Sequence, residues 1–493
     1  MTFFLPSVRP ADAVRGNPTV DPARWPDVAR LPRVSALRTA VARRIVERAL
    51  SGLPIRVRQG GGPALTIPAQ SASTEPSALS KPTAPTTPSK PTAPTTPSKP
   101  TAPSAPSKPT APTTPSEPSA SSGPSGPSGP SAPSSTPPTL TLHDPAAFHR
   151  RIAARGLIGF GESYMAGEWD SDDLAGLLTV FAAHVDELVP APLRRLRGAW
   201  VRRRPAHDRN TLDGARENVH RHYDLSNELF GLFLDPSLSY SSGVFAALPA
   251  TPELHTAAQH RKIDRLLDLA EVGPGTDLLE IGTGWGELAI RAAARGARVL
   301  TVTLSAEQRA LALRRIADAG VADRVTVELR DYREVEGRYD AVVSVEMIEA
   351  VGAEYWPAYF GALHRLLAPG GRVALQAITM PHERMLATAR THTWISAYVF
   401  PGGLIPSATA IVRESAAAGL RITRDTGFGA HYAETLRLWR ERFLREAEAV
   451  EALGFDRVFR RMWELYLAYS EAGFRARVLD VRQLLLVRDG DRP

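Results

Sequence analysis

Residues Asp277 to Gly286 read DLLEIGTGWG, an apolar strand running directly into Gly282, Gly284 and Gly286. The run ELAIRAAARG follows, rich in helix formers. Strand, glycine turn and helix in that order make the first unit of a βαβ fold, and they leave few other architectures open. Glycines in such a turn let the backbone approach a ligand, and the helix N-terminus offers free N–H groups. Dinucleotide-binding turns carry the spacing GxGxxG. Here the spacing is GxGxG and the strand end carries Glu280, which would repel a phosphate. The pattern fits the adenosyl and methionine portions of S-adenosylmethionine better than a pyrophosphate. The alternative is a glycine-rich turn of some other α/β enzyme.

The segments around this turn extend the pattern. A helix around His260 to Ala270 leads into DLLEIG. After ELAIRAAARG come strand RVLTVTL, helix SAEQRALALRRIADAG, strands VTVELRD and YDAVVSVEM, helix EYWPAYFGALHRLL and strand RVALQAI. A helical insertion follows, then LRITRDTGF and a helix-rich tail ending in VRQLLLVR. Strands alternating with helices specify an α/β fold with a doubly wound, mainly parallel sheet, Rossmann-like in character. Hydrophobic residues make up 43% of the 493-residue chain, enough for a sizeable core.

The N-terminal third differs. From about residue 60 to 138 the chain is low-complexity: SKPTAP recurs at Ser80, Ser89 and Ser98, and GPSGPSGPS follows. Proline at this density excludes helix and sheet, so an extended, disordered, solvated insertion is expected. LPIRVRQ before it and TLTLHD after it both read as strands, which places the insertion at a hairpin tip inside a small α+β domain. Helical patterns follow in AAFHRRIAAR, ESYMAGEW and DLAGLLTVFAAHVDELV. The expected domains are therefore 1–59 and 139–205 as two parts of an N-terminal accessory domain, 60–138 as the insertion, and 206–493 as the catalytic domain.

Charge and composition narrow the function. The chain has no cysteine, which excludes disulfides, thiolate metal sites and cysteine nucleophiles, and no metal is expected. The net charge of +7 points to a polyanion. RRLRGAWVRRR, from Arg194 to Arg204, places Leu193, Leu196, Trp200 and Val201 at near-helical spacing within basic residues. It reads as a contact with an anionic membrane surface or as a solvated linker. A single basic cluster outside the cleft disfavours nucleic acid. Neither a signal peptide nor a spanning apolar run is recognisable, so the expected location is cytoplasmic, peripheral to the inner membrane face.

In a doubly wound sheet, ligands bind beyond the carboxyl ends of the strands near the switch point. Glu280 to Gly286 follow the first strand of that sheet. Thr303 to Gln308 follow the second, where a polar end can meet a ribose or an amino acid. Asp331 and Tyr332 follow the third and offer an adenine ring a partner and a flat face. Glu346 to Glu349 follow the fourth. Each position has an ordinary reading as a cap or loop, and Ser305 with Gln308 forms a capping-box pattern.

Several motifs together resemble the cyclopropane-fatty-acid synthases and related mycolic acid methyltransferases. They are HYDLSNELF (His222 to Phe230), LDPSLSYSSG (Leu234 to Gly243), LEIGTGWGELA, VTLSAEQ, RDYR (Arg330 to Arg333), VSVEMIEAVG (Val343 to Gly352), YVFPGGLIPS (Tyr398 to Ser407), AHYAETL (Ala430 to Leu436) and FRRMWELYLAYSEAGFRA (Phe459 to Ala476). GLIGFGESYMAGEW (Gly156 to Trp169) is similar to the accessory part of bacterial synthases. The resemblance implies methyl transfer from S-adenosylmethionine to a cis double bond of an unsaturated phospholipid acyl chain. It assigns the cofactor to Tyr240, Ser241, Gly282, Gly284, Thr303, Gln308 and Tyr332, to which strand-end placement adds Glu280, Gly286 and Asp331. Methyl transfer to an alkene leaves a carbocation, so the site must exclude water, surround the cation with aromatic faces and accept a proton. Tyr240, Phe245, Trp394, Tyr398, Phe400 and Tyr432 are candidate walls or core aromatics. The insertion Met380 to Pro406 is a candidate lid of the acyl channel.

The cyclopropane-forming members of this family use a bound bicarbonate as base, held by a Cys, a Glu, a His, an Ile backbone and a Tyr. By motif, the Glu is Glu349, the Ile is Ile378 and the Tyr is Tyr432. Ser242 stands in place of the Cys and Gln376 in place of the His, and Ala350 replaces the His that usually follows the Glu. No charge-assisted His donor remains. VEMIEAVG and LQAITMPH resemble a branch that makes mid-chain methylene or methyl groups, as in tuberculostearic-type acids. The product is thus a cyclopropane or a methylene branch. Glu349 is expected to serve as the base or as the anchor of an anion, against a structural pairing with Tyr432 or Gln376. A partner reductase and a homodimer stay open. The rival readings are a small-molecule O-, N- or C-methyltransferase and a catalytically altered lipid-binding protein.

Overall fold

The computed structural model describes residues 20–60, 136–185, 205, 209–212, 214–215, 217–218 and 226–491. Most of the proline-rich insertion, the basic cluster at 194–204 and the 222–225 part of HYDLSNELF lie outside the described residues.

The principal sheet has seven strands: β4 (Asp277–Ile281), β5 (Arg298–Thr303), β6 (Val325–Leu329), β7 (Tyr339–Val345), β8 (Leu367–Thr379), β9 (Leu420–Gly427) and β10 (Asp480–Arg488). Their order is β6-β5-β4-β7-β8-β10-β9. The first five pair parallel, and β10 runs antiparallel to both β8 and β9. A doubly wound, mainly parallel α/β sheet is therefore what the strand–helix alternation builds.

Side-chain alternation along these strands divides the core in two. Leu279, Ile281, Val342, Val373 and Leu375 pack on one face with Trp356, Tyr359 and Phe360 of helix Trp356–Leu366. Leu278, Val299, Ala341 and Val343 pack on the other with Ile263, Leu266 and Leu267 of helix His255–Leu269. The strands are buried on both faces, which is why they read as near-continuous apolar runs. Strand order reverses between β4 and β7, so a cleft opens beyond their carboxyl ends.

A second, three-stranded sheet contains β1 (Arg56–Gln59), β2 (Thr139–Leu142) and β3 (Trp169–Ser171). β1 pairs parallel to β2, with Arg56 opposite Thr139, and β2 pairs antiparallel to β3. This corrects the hairpin expectation, because parallel partners cannot be joined by a tight tip turn. ESYMAGEW is likewise only partly helical. Helix Leu157–Met165 stops before Gly167, whose φ of 75° breaks it, and Trp169 opens β3.

These accessory elements share one core with the C-terminal helices Gly429–Arg445 and Arg457–Arg475. Leu140, Phe148, Tyr164 and Trp169 cluster with Trp439, Phe459 and Trp463. Arg461 is one polar bolt: its guanidinium lies 3.9 Å over the Tyr164 ring and donates to the Trp169 carbonyl at 2.9 Å. Arg151 is another, fully buried, bonding Glu168 at 2.7 Å and the Val28 carbonyl at 2.6 Å. Breaking such a buried pair strands a charge, which costs about 3–5 kcal/mol. Among the described residues, no helix is long and apolar enough to cross a membrane.

Candidate active site

The turn after β4 takes the conformation its glycines allow. Gly282, Gly284 and Gly286 have φ of 99°, 52° and 91°, all in the left-handed region. A Cβ on Gly282 would meet Met347 Sδ at 2.7 Å, and one on Gly286 would meet Ala312 Cβ at 3.2 Å. A Cβ on Gly284 would meet nothing within 4 Å. The first and third glycines thus serve close packing, and the second faces open space beside the N-terminus of helix Glu287–Ala294.

Polar side chains at the neighbouring strand ends surround this space. On β4, the carboxyl of Glu280 is buried and accepts from Thr301 Oγ1 at 2.6 Å. Burial pushes its pKa up to about 8. Beyond β5, Thr303 Oγ1 bonds the Gln308 side chain at 3.1 Å and receives the Ser305 N–H at 3.1 Å. Ser305 caps helix Ala306–Asp318 through the Gln308 N–H at 3.2 Å. In place of the reciprocal capping box, Thr303 receives the Ser305 N–H and Gln308 points toward Thr303. Beyond β6, the carboxylate of Asp331 is occupied by Arg333, at 2.8 and 2.7 Å. Tyr332 stands edge-on to Tyr359, with ring centroids 5.4 Å apart, and burial pushes its hydroxyl above the usual range.

Tyr240 and Ser241 reach the site from a loop far earlier in the chain. The Tyr240 hydroxyl meets that of Tyr466 at 2.7 Å, and its ring packs on Trp439 at 5.2 Å. Ser241 Oγ accepts from the buried Lys262 at 2.6 Å. Desolvation lowers the Lys262 ammonium to about 8, although Glu346, Asp235, Glu280 and Glu287 all act to raise it. This buried cation was not singled out from the sequence. Its helical spacing from Ala258 and Leu266, on the buried face of helix His255–Leu269, is the signal the sequence held for it.

Beyond β7 two glutamates stand three residues apart. Glu346 Oε1 accepts from the Ser242 N–H at 3.0 Å and from Gln376 Nε2 at 2.8 Å, and Glu346 Oε2 accepts from the Tyr432 hydroxyl at 2.6 Å. Gln376 is aimed by Gln483, its cross-strand partner on β10, which donates to Gln376 Oε1 at 3.0 Å. Glu349 Oε1 accepts the Ile378 N–H, and Glu349 Oε2 is buried without a hydrogen-bond partner. Burial, reinforced by the neighbouring charge of Glu346, pushes Glu349 up to about 8.

This arrangement corrects one sequence expectation. Tyr432 and Gln376 do bond a glutamate, but it is Glu346 rather than Glu349. Ser242 joins them through its backbone N–H, while its hydroxyl turns to the Gly243 carbonyl at 3.1 Å. The bicarbonate used by cyclopropane-forming relatives does not fit these donors, because the Glu346 carboxylate already receives them. Glu346 also has φ of 53°, uncommon for a residue with a Cβ, and its N–H donates to the Gln376 carbonyl at 2.8 Å.

Aromatic rings line the surroundings unevenly. Tyr432 packs on Phe474 at 4.6 Å and on Trp439 at 6.1 Å, and Phe400 packs on Tyr466 at 5.6 Å. These join Tyr240 in one aromatic group. Trp394 and Tyr398 face elsewhere: Trp394 crowds Gly161, and Tyr398 donates to Glu162 at 2.8 Å. Phe245 stacks on His431 at 6.3 Å in a small separate cluster. The FPGG segment is tied to the site by the Leu404 N–H, which donates to the Glu349 carbonyl at 2.7 Å.

The open cradle at Gly284, with polar strand ends around it, fits S-adenosylmethionine. Comparison with known proteins supports the same cofactor. The sequence model of the mycolic acid cyclopropane synthetase family matches residues 210–484. The chain is 52% identical to the tuberculostearic acid methyltransferase UfaA1 of Mycobacterium tuberculosis, over 96% of this chain and 97% of that one. It is 32% identical to the cyclopropane-fatty-acyl-phospholipid synthase of Escherichia coli, over 72% and 89%. The solved cyclopropane synthase MmaA2 from Mycobacterium tuberculosis superimposes with a TM-score of 0.51 at 32% identity, covering 55% of this chain and 97% of that one. The mycolic acid cyclopropane synthase CmaA1, solved with SAH and CTAB, also gives 0.51, at 30% identity and 57% and 98% coverage. The chain belongs to the mycolic acid cyclopropane synthetase family and is an S-adenosylmethionine-dependent methyltransferase.

Proposed function

We propose that the protein methylates the cis double bond of an unsaturated phospholipid acyl chain and resolves the resulting cation as a methylene branch. The observation that carries this reading is the buried glutamate pair beside an aromatic group at the end of β7. An alkene is a weak nucleophile, and its methylation leaves a cation that water would trap. The site therefore needs apolar walls and a base rather than a polar acceptor pocket. Tyr240, Phe400, Tyr432 and Trp439 supply faces that stabilise a cation by about 0.5–2 kcal/mol each. Bound at the Gly284 cradle, the cofactor supplies the electrophilic methyl group. Tyr240, Ser241, Glu280, Thr303, Gln308 and Tyr332 are assigned to holding it, with Asp331 acting through Arg333.

The methylene outcome is favoured over a cyclopropane ring by the 52% identity to a tuberculostearic acid methyltransferase. The second reading, ring closure, draws on the 32% identity to a cyclopropane synthase. A methylene group is two electrons more oxidised than a methyl branch, so a methyl-branched end product requires a separate reductase. Access from a membrane surface suits helix Ala36–Ser51, which carries Arg38, Arg43, Arg44 and Arg48 and leaves Leu37 and Val41 exposed. The test is incubation with dioleoyl phospholipid vesicles and methyl-labelled cofactor. Label in an acyl group that has gained one mid-chain carbon supports the reading, and label confined to water-soluble products defeats it.

A further inference from the structure

The proposed reaction, on which this inference rests, ends with a proton leaving the methylated chain. Three donors from three separate elements converge on one carboxylate at the expected place: the Ser242 N–H, Gln376 Nε2 and the Tyr432 hydroxyl, all on Glu346. Gln483 fixes the Gln376 amide so that its NH₂ rather than its carbonyl faces Glu346. The constellation is thus built for an anion. We propose that the Glu346 carboxylate is that anion, a tethered base that takes the place of bicarbonate and removes the proton directly.

The backbone supports this assignment. Glu346 is held at φ 53°, a conformation that costs a residue with a Cβ about 1–2 kcal/mol and that glycine would adopt freely. Strain retained beside a cleft marks a position where the side chain is needed. The division of roles between the two glutamates follows from their partners. Burial pushes both carboxyls up, but on Glu346 three donors and the positive charge of Lys262 work against it, whereas Glu349 has the Ile378 N–H and a buried oxygen without a partner. Like charges this close do not both ionise readily, so Glu346 carries the negative charge and Glu349 the proton.

The step balances on this site. After hydride shift to the neighbouring cationic carbon, the cation lies on the carbon that bears the new methyl. One methyl C–H bond breaks, its electron pair becomes the C=CH₂ π bond, and the proton passes to Glu346. For ring closure, from the cation before any hydride shift, the C–H pair would instead form the third ring bond to the adjacent cationic carbon, and the proton would pass to the same oxygen. Water removes the proton when the product leaves.

The experiment uses the full-length protein, Glu346→Gln and Glu346→Gly, each first checked for cofactor binding by calorimetry. Label transfer to dioleoyl phospholipid is measured in carbon-dioxide-stripped buffer, with and without added bicarbonate. Binding of ¹³C-bicarbonate is followed separately by NMR line width. The wild type is expected to keep its rate in stripped buffer and to leave the bicarbonate line unbroadened. Glu346→Gln should lose about 100-fold or more in rate, the usual contribution of a general base. Glu346→Gly should lose as much, broaden the bicarbonate line and recover rate when bicarbonate is added. The inference is overturned if stripping bicarbonate silences the wild type, if the wild type broadens the line, or if Glu346→Gln keeps its rate. Should either variant fail to bind cofactor, the two wild-type measurements decide. A wild type that labels no lipid defeats the acyl-chain reading, and the line-width measurement still decides whether Glu346 fills the anion's place.

Discussion

The hydroxyl of Tyr432 lies 2.6 Å from Oε2 of Glu346, joining helix Gly429–Arg445 to the end of β7 across 86 residues of sequence. A hydrogen bond to a charged group contributes about 1.5–3 kcal/mol. Tyr432→Phe is therefore expected to lower kcat by about tenfold or more while leaving cofactor affinity unchanged. Burial raises the Glu346 carboxyl above its ordinary value and the Tyr432 hydrogen bond works against that, so losing the bond raises the pKa further. The acid limb of the kcat–pH profile should move to higher pH. A purely structural Tyr432 would lower activity without moving that limb.

The glycine turn makes a paired prediction. Gly284 faces open space at φ 52°, so Gly284→Ala should cost only about 1–2 kcal/mol of stability, the ordinary left-handed penalty. Its methyl group would enter the cofactor space, and the Kd for S-adenosylmethionine should rise by about tenfold or more, a 1.4 kcal/mol effect. Gly286→Ala carries the same penalty and also presses on Ala312 Cβ at 3.2 Å. It should melt at a lower temperature than Gly284→Ala. Equal cofactor affinity in Gly284→Ala and wild type would count against the cradle.

Stability should fall with rising pH in part because of Glu349 and Glu280. Both carboxyls are pushed from 4.5 to about 8 in the folded state, chiefly by burial. A raised folded value means the fold prefers the protonated form. That stabilisation is complete below about pH 4.5 and is lost as pH climbs toward about 8. Glu349→Gln stays neutral at every pH, so its Tm should decline less than that of wild type between about pH 5 and 9. Parallel Tm curves would show that Glu349 is ionised throughout.

The 380–406 segment makes a polar contact with the accessory elements. Tyr398 donates to Glu162 at 2.8 Å, and Arg155 bridges the same oxygen at 2.8 Å. Burial raises Glu162 to about 7, partly offset by these two partners. Tyr398→Phe should destabilise the protein by about 1–3 kcal/mol in urea unfolding, with cofactor affinity retained. A loss below about 0.5 kcal/mol, the range of ordinary surface substitutions, would mean that water replaces the hydroxyl.

Sequence patterns carried the sheet further than they carried the site. β4 to β8 were legible because strands buried on both faces need continuous apolar runs. The insertion of β10 between β8 and β9 was not, since strand pairing order depends on contacts far apart in the chain. Parallel pairing of β1 and β2 was hidden for the same reason. At the site, Ser242, Gln376, Ile378, Tyr432 and Glu349 were all named from motifs and do gather at the end of β7. Their mutual pairing was not readable. Two glutamates three residues apart follow that strand, and only the left-handed turn at Glu346 shows which one meets Tyr432 and Gln376. Lys262 was missed because a charged residue within a helix pattern ordinarily marks a solvated face.

The most direct measurement of the central claim is the structure of the labelled lipid product. Purified protein is supplied with dioleoyl phospholipid and cofactor bearing a fully deuterated methyl group, and the released fatty acids are examined by mass spectrometry and NMR. The account predicts a mid-chain methylene group that has lost one of the three methyl deuteriums, the one transferred to Glu346. An acyl chain that retains all three deuteriums, or that carries no label, would contradict it.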